Sequence, residues 1–212
     1  MDNSIFTKSF LKGLLHSWWI FAIAIIFLII REYLKSSKFK GKLGEQATNL
    51  GLKLKLNPNI YKILKDITIN DSKGTTQIDL VILSQYGIFV IEVKNYNGWI
   101  FGNEKDKYWT QVLYSKKNKF YNPLWQNYRH VKALTELLKV DKNAVHSIVF
   151  FIGDVEFKTP MPPNVIKSGL SNYIKKFKKI YFSQEEVEKM TELLAKKSVT
   201  TPRSTSSLKE ES

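Results

Sequence analysis

Within "QIDLVILSQYGIFVIEVKNYNGW", residues 77 to 99, two carboxylates and an ammonium group, Asp79, Glu92 and Lys94, interrupt sequence that otherwise reads as apolar strand. The runs 75–83 and 87–94 form two strands joined at Ser84-Gln85-Tyr86-Gly87. With a two-residue loop at Gln85 and Tyr86, or a four-residue loop at 84 to 87, Asp79 faces Glu92 and Gln77 faces Lys94. Side chains alternate along a strand. Gln77, Asp79, Glu92 and Lys94 are therefore predicted on one face, and Ile78, Leu80, Phe89, Ile91 and Val93 on the other. A three-residue loop would separate Asp79 from Glu92.

Directly opposed residues have Cβ atoms roughly 5 Å apart, and like charges there repel. A divalent cation offsets the repulsion. Two carboxylates with a backbone carbonyl and waters make an oxygen donor set that suits Mg²⁺ or Mn²⁺. Lys94, on the same strand face as Glu92, could orient or deprotonate a water, or stabilise charge developing on a phosphate. That chemistry is phosphodiester hydrolysis. The plainer alternative is a pair of strand acids neutralised by Lys94 or another surface lysine.

Several elements must position these groups. Leu43, Ala47, Leu50 and Leu54 recur at helical spacing, which predicts a helix over 42–52. "YKILKDITI" is a further strand, and Asp71 to Gly74 a turn. "GWIFGNEKDKYWTQVLY" reads as a hairpin turning at 103–107, and Asn122-Pro123 opens a helix, since proline is tolerated at a first helical position. "AVHSIVFFIG" is a buried strand and "NVIKSGLSNYIKKF" a turn and helix. Ser183 and Glu186 have capping-box spacing at the start of a last helix. The order predicts a mixed α/β domain around a central sheet.

Cysteine is absent, which excludes disulfides, zinc fingers, iron–sulfur clusters and thiol nucleophiles. The formal net charge is +14. Residues 1 to 42 hold seven Lys/Arg against two acids and residues 183 to 212 five against six, so most of the excess lies between them. A basic domain attracts nucleic acid or anionic lipid, although a lysine-rich solubilising surface has the same composition.

"LLHSWWIFAIAIIFLII", Leu14 to Ile30, is nearly continuous apolar sequence. Extended back to Phe10 it has the length of a membrane span. Arg31, Lys35, Lys38, Lys40 and Lys42 follow it, against Lys8 and Lys12 before it, which orients the C-terminal bulk to the cytoplasm. A cleaved signal and an interfacial helix are the alternatives, and no small-residue cleavage pattern follows Ile30.

Gly44-Glu45, "QIDLVILSQYGIFVIEVKNYNGWI" and "FYNPLWQNYRH" together resemble the nuclease-related domain family, a branch of the PD-(D/E)xK, restriction-endonuclease-like superfamily. The resemblance covers roughly residues 40 to 155. It implies an α/β/α sandwich with a mixed central sheet and Mg²⁺-dependent (or Mn²⁺-dependent) DNA cleavage. Asp79 would be the motif aspartate, Glu92 and Lys94 the E-x-K pair, and Glu45 an acid on the first helix, with Asp79, Glu92 and Glu45 as metal ligands. Glu45 lies opposite the Leu43/Ala47/Leu50 stripe, on the side of Leu52 and Leu56. The resemblance also implies that the helix after Pro123 borders the cleft. On it Gln126 and His130 share a face opposite Leu124, Tyr128 and Val131, placed to contact phosphate or shape the metal site. Gln77 joins them as a substrate-binding candidate, and Tyr96, Trp99, Trp109 and Trp125 could stack on bases.

The expected organisation is a short extracytoplasmic N-terminus over 1–9, a transmembrane helix over 10–30, a basic linker over 31–42, a nuclease-like domain over 43–182, a C-terminal helix over 183–198 and a disordered tail over 199–212. The expected function is that of a single-pass nuclease at the cell membrane, its C-terminal domain in the cytoplasm, hydrolysing DNA ahead of RNA. A membrane-tethered module that binds nucleic acid or another partner without turnover is the second reading. A lipid-binding scaffold is the third.

Overall fold

A computed structural model of the chain describes residues 18–35, 48–72 and 74–199. The chain divides into two compact units, Met1–Lys42 and Leu43–Ser212. In the first, the described residues form one helix, α1 (Trp18–Lys35). Its run from Trp18 to Ile30 is wholly apolar, and Arg31, Glu32 and Lys35 fill the remainder. Among the described residues no helix is long and apolar enough to cross a membrane, and the span expected over 10–30 is described only from Trp18 on. The shortfall is one of length: the apolar run rises about 20 Å against a hydrocarbon layer of roughly 30 Å. Residues 10–17 of the expected span, like the linker from 36 on, Glu45 and the tail from 200, lie outside the described residues.

The second unit is built on a meander of β1 (Lys62–Asp71), β2 (Gly74–Ser84) and β3 (Gly87–Asn95), rich in Ile, Val and Leu as buried strands require. Ser84 pairs with Gly87, so the β2–β3 loop is the two-residue Gln85-Tyr86 turn. Gly87 has φ +126°, and a Cβ there would lie 2.8 Å from His146 Nε2 and 2.9 Å from the Ala144 carbonyl, so this turn admits only glycine without strain. β7 (Val145–Ile152) and β9 (Val165–Ile166) extend the sheet in parallel beyond β3, giving the mixed order β1-β2-β3-β7-β9. Between β3 and β7 the chain forms a second sheet. Its order is β6-β5-β4-β8, with β4 (Gly98–Phe101), β5 (Tyr108–Leu113), β6 (Lys116–Tyr121) and β8 (Val155–Phe157). β4 and β5 are the expected hairpin. The parallel pair β3/β7 passes directly into the parallel pair β4/β8, bridged by Tyr96 N–H to Ile152 O at 3.1 Å and Gly98 N–H to Asp154 O at 2.7 Å.

Both faces of the first sheet are covered. On one, α3 (Pro123–Leu138) and α5 (Gln184–Val199) pack Ala133, Leu134, Val187, Met190 and Leu194 against Ile67, Val81, Leu83, Ile88 and Val90. On the other, a helix over 48–55 (α2) and α4 (Leu170–Ile174) bring Leu52, Leu170 and Ile174, with Leu56 just beyond α2, against Leu80, Ile82, Phe89 and Ile91. Helix starts follow their local chemistry. Pro123 occupies the first turn of α3 behind Asn122, whose Oδ1 accepts from Leu124 N–H at 2.9 Å. At α5, Ser183 N–H donates to Glu186 Oε2 at 2.7 Å and Glu186 N–H to Ser183 Oγ at 3.2 Å, a reciprocal capping box.

The helix expected near 42–52 turns a different face inward. Thr48, Leu52 and Leu56 are buried, while Leu50 and Leu54 are exposed. Replacing Gly87 by alanine should lower stability by about 1–3 kcal/mol, because it adds both a positive-φ penalty and a clash at the β2–β3 turn. Urea denaturation measures this; an unchanged midpoint would contradict the close approach to His146.

Candidate functional site

Beyond the turn, the β2–β3 ladder runs from Ser84 opposite Gly87 to Leu80 opposite Ile91. One step further Asp79 stands across from Glu92. There the Val93 N–H donates to Asp79 Oδ2 at 2.8 Å. The ladder therefore ends one step short of Asp79 and Glu92, and the Asp79 carboxylate takes the Val93 N–H where a ladder bond would continue.

Glu92 is only 2% exposed and points to α3. Its Oε1 accepts from Lys94 Nζ at 2.8 Å and its Oε2 from His130 Nε2 at 3.2 Å. Lys94 Nζ donates in addition to Gln126 Oε1 at 2.9 Å, and His130 Nδ1 lies 2.8 Å from Thr76 Oγ1. A carboxylate only accepts, so Nε2 carries the ring proton; in the neutral ring Nδ1 then accepts from the Thr76 hydroxyl. A continuous path results: Thr76, His130, Glu92, Lys94, Gln126.

Charge is balanced within it. Burial pushes the Glu92 carboxyl up, but Lys94 and the hydrogen bond from His130 outweigh burial and hold it below its ordinary value. Burial likewise pushes Lys94 down, and Glu92 outweighs it, with Asp79 adding to the effect, so Lys94 stays above its ordinary value. Lys94 is a cation here. That suits it to bind an anion or stabilise developing negative charge more than to take a proton from water.

α3 turns toward the site the face expected to carry Gln126 and His130, and of the opposite stripe only Tyr128 is exposed, Leu124 and Val131 being half-buried against the core. Tyr128 is 68% exposed, whereas Asn127 and His130 are buried. Asn127 Nδ2 donates to Val90 O and Ile148 O, each at 3.0 Å, and to Ser147 Oγ at 2.9 Å, pinning the helix across β3 and β7. Arg129 holds the same helix to the end of β1, with Nε 2.5 Å from Asp71 Oδ2. Gln126 and His130 do share the sheet-facing side. His130, however, is enclosed between Thr76 and Glu92 rather than open to a phosphate, so its geometry is that of a positioning group.

Gln77 is placed elsewhere. It is exposed, and its amide donates to Asp66 Oδ1 at 3.1 Å rather than reaching Lys94. Two-residue alternation breaks at this point. The β1–β2 register passes from Lys65 opposite Leu80 to Ile67 opposite Ile78 without an Asp66–Asp79 pair, and Asp66 has φ +53°. Ile78 consequently shares a core cluster with Val81 and Leu83, a step of three, and Thr76 falls on the helix side instead of Gln77. Sequence reasoning missed Thr76 and Asn127. The first was hidden by the break, and the second by its polarity.

Of the aromatic candidates, Trp109 is fully buried and Tyr96 is packed at 4.7 Å on Phe120, so neither offers a face to a base. Trp99 and Trp125 are exposed.

Among the described residues no group of three or more His, Asp or Glu side chains gathers as a metal cluster. The oxygen donors present are nonetheless of the right kind. Mg²⁺ is commonly held by one or two carboxylates and completes its shell with water. Asp79 and Glu92 could hold such an ion.

A family model described as nuclease-related domain matches residues 40–152, a span that contains every one of these side chains. An uncharacterized protein of Bacillus anthracis is 46% identical over 103 residues, which are 48% of this chain and 48% of that protein. The chain thus spans about half the length of that relative.

Because the Glu92 carboxyl is held below its ordinary value, its contribution to stability is present above the ordinary carboxylate range and is lost as pH falls through the folded-state value. Denaturation measured downward from about pH 5 should show an acid-labile component that Glu92→Gln lacks. Equal acid dependence in the two proteins would mean that Glu92 is not held as a carboxylate.

Proposed function

The chain belongs to the nuclease-related domain family, and we propose on that footing that it is a metal-dependent phosphodiester hydrolase acting on DNA, with RNA the less favoured substrate. The observation that carries this reading is the buried Glu92 carboxylate with the Lys94 ammonium 2.8 Å from it, a lysine that Asp79 also acts on. Asp79 and Glu92 would hold Mg²⁺ or Mn²⁺, with Glu45 as a further ligand by family resemblance. When bound, the ion would supply Lewis acidity at the phosphate.

The remaining roles belong to side chains. His130, oriented by Thr76, fixes the Glu92 carboxylate so that it need not reorganise when the substrate arrives. Lys94, steadied by Gln126, sets a positive charge where the phosphoryl oxygens gain negative charge. Asp79 marks the end of the β2–β3 pairing, which keeps its carboxylate at the site instead of inside a ladder. A nucleic-acid substrate is supported by the basic domain, which attracts polyanions in general.

We also propose that the N-terminal apolar segment inserts into the cell membrane, with the nuclease domain on the cytoplasmic side. In support, Trp19, Phe21, Ile23 and the unbroken run from Ile25 to Ile30 are exposed, which covers all sides of α1, as expected of a helix surrounded by lipid. Residues 10–17 would complete the length.

A binding module without turnover is favoured by one specific observation: both Glu92 oxygens already have partners, as in a structural ion pair. The two readings part on catalysis. Full-length protein with Mg²⁺ or Mn²⁺ should cut DNA, and Asp79→Ala should lower the rate by roughly a hundredfold or more while leaving the melting temperature within a few degrees; Lys94→Ala should lower the rate as far and lower the melting temperature as well, because it takes a partner from the buried Glu92 carboxylate. No cutting by wild type, or cutting unchanged by both substitutions, would leave the binding module. For the membrane proposal, alkaline carbonate should leave full-length protein in the membrane pellet. Release into the supernatant would contradict insertion.

A further inference from the structure

The outer face of the second sheet is unlike the rest of the surface. Trp99 and Phe101 on β4, Tyr108 on β5 and Tyr121 on β6 are between 37% and 47% exposed, and strand pairing puts all four on one side. Trp99 stands opposite Val112, which stands opposite Lys117. Phe101 stands opposite Thr110, which stands opposite Lys119. The other side of the same sheet, with Ile100, Trp109 and Phe120, is the one committed to the core around Val149 and Phe151. Tyr108 and Tyr121 meet edge-on with centroids 6.1 Å apart, and the four half-exposed rings together form one aromatic band on the solvent side.

The band also leads to the site. Tyr121 meets Trp125 edge-on with centroids 6.3 Å apart, and the next residue, Gln126, is the one bonded to Lys94. Lys158 lies 4.7 Å from the Trp99 ring centroid at the far end. Acids are present as well. Glu156 pairs with Lys158, and Glu104 and Asp106 border a groove of about 590 Å³ beside Phe101 and Tyr108.

We infer that the outer face of the β4-β5-β6 sheet is a track for single-stranded DNA, whose bases stack on Trp99, Phe101, Tyr108 and Tyr121 and whose phosphates meet Lys117 and Lys119, delivering the strand past Trp125 to Lys94. This rests on the proposed nuclease reading and adds the strandedness of its substrate. The physical argument is that paired bases hide their π-faces within the duplex, whereas unpaired bases expose them to any flat aromatic, independently of sequence. Interleaved lysines supply the backbone attraction.

The test is binding of full-length protein in EDTA, which removes cleavage from the measurement, to a fluorescent oligo-dT strand and to a duplex of equal length. The strand should bind at least about tenfold more tightly than the duplex. Trp99→Ala and Tyr108→Ala should each weaken strand binding by about fivefold or more. The double variant Lys117→Ala, Lys119→Ala should flatten the dependence of log affinity on log salt by roughly 0.7 per lysine. These lysines are exposed, so that variant keeps the question open to test even if an aromatic variant misfolds. Equal affinity for the duplex, no binding to either probe, or unchanged strand affinity in both the aromatic and the lysine variants would overturn the track. Cutting by wild type alongside such a result would leave the nuclease reading standing. Strand binding without cutting would do the reverse.

Discussion

Glu92 is a carboxylate with almost no access to water, placed on a central strand among Val90, Ile91 and Val93. An isolated charge in such a place would be expelled or neutralised. It remains ionised because Lys94 and His130 each give a hydrogen bond to one of its oxygens, and those two groups are in turn held by Gln126 and Thr76. Much of the architecture serves this arrangement. α3 must approach β3 closely enough for His130 to reach Glu92, and Asn127 and Arg129 hold it there through the backbone of β3 and β7 and the end of β1.

The β2–β3 pairing ends beside the same arrangement. A regular β2–β3 ladder would seat Asp79 against Glu92 with no counter-charge between them. Instead the pairing ends at Leu80, Asp79 takes the Val93 N–H, and Asp66 adopts a left-handed backbone across from it. Lys94 then feels both acids. A site that neutralises two carboxylates with one lysine is electrostatically prepared for a further cation, and the proposed chemistry follows from that preparation.

The Gln85-Tyr86 loop and the register it imposes were legible in the sequence, because turn residues and strand period specify them locally. Asn122-Pro123 and Ser183/Glu186 were legible for the same reason. The face of α3 was legible in part: helical spacing sets Gln126 and His130 together, opposite Tyr128, which lies in water, whereas the burial of Asn127 was not, because periodicity does not assign a polar side chain to the interior. Gln77 failed on a different point, since alternation holds only while a strand is regular, and the register breaks between Asp66 and Asp79. The α2 face was misread because Leu50 and Leu54 match the helical period as well as Leu52 and Leu56 do, and only tertiary packing separates the two stripes.

The central claim is the proposal that Asp79 and Glu92 share a divalent cation. A crystal soaked in Mn²⁺ and measured at the manganese absorption edge tests this most directly. An anomalous peak within about 2.5 Å of an oxygen from each carboxylate is the result the account predicts. No peak between them, with Lys94 and His130 still bonded to Glu92, would contradict it and reduce the cluster to a structural ion pair.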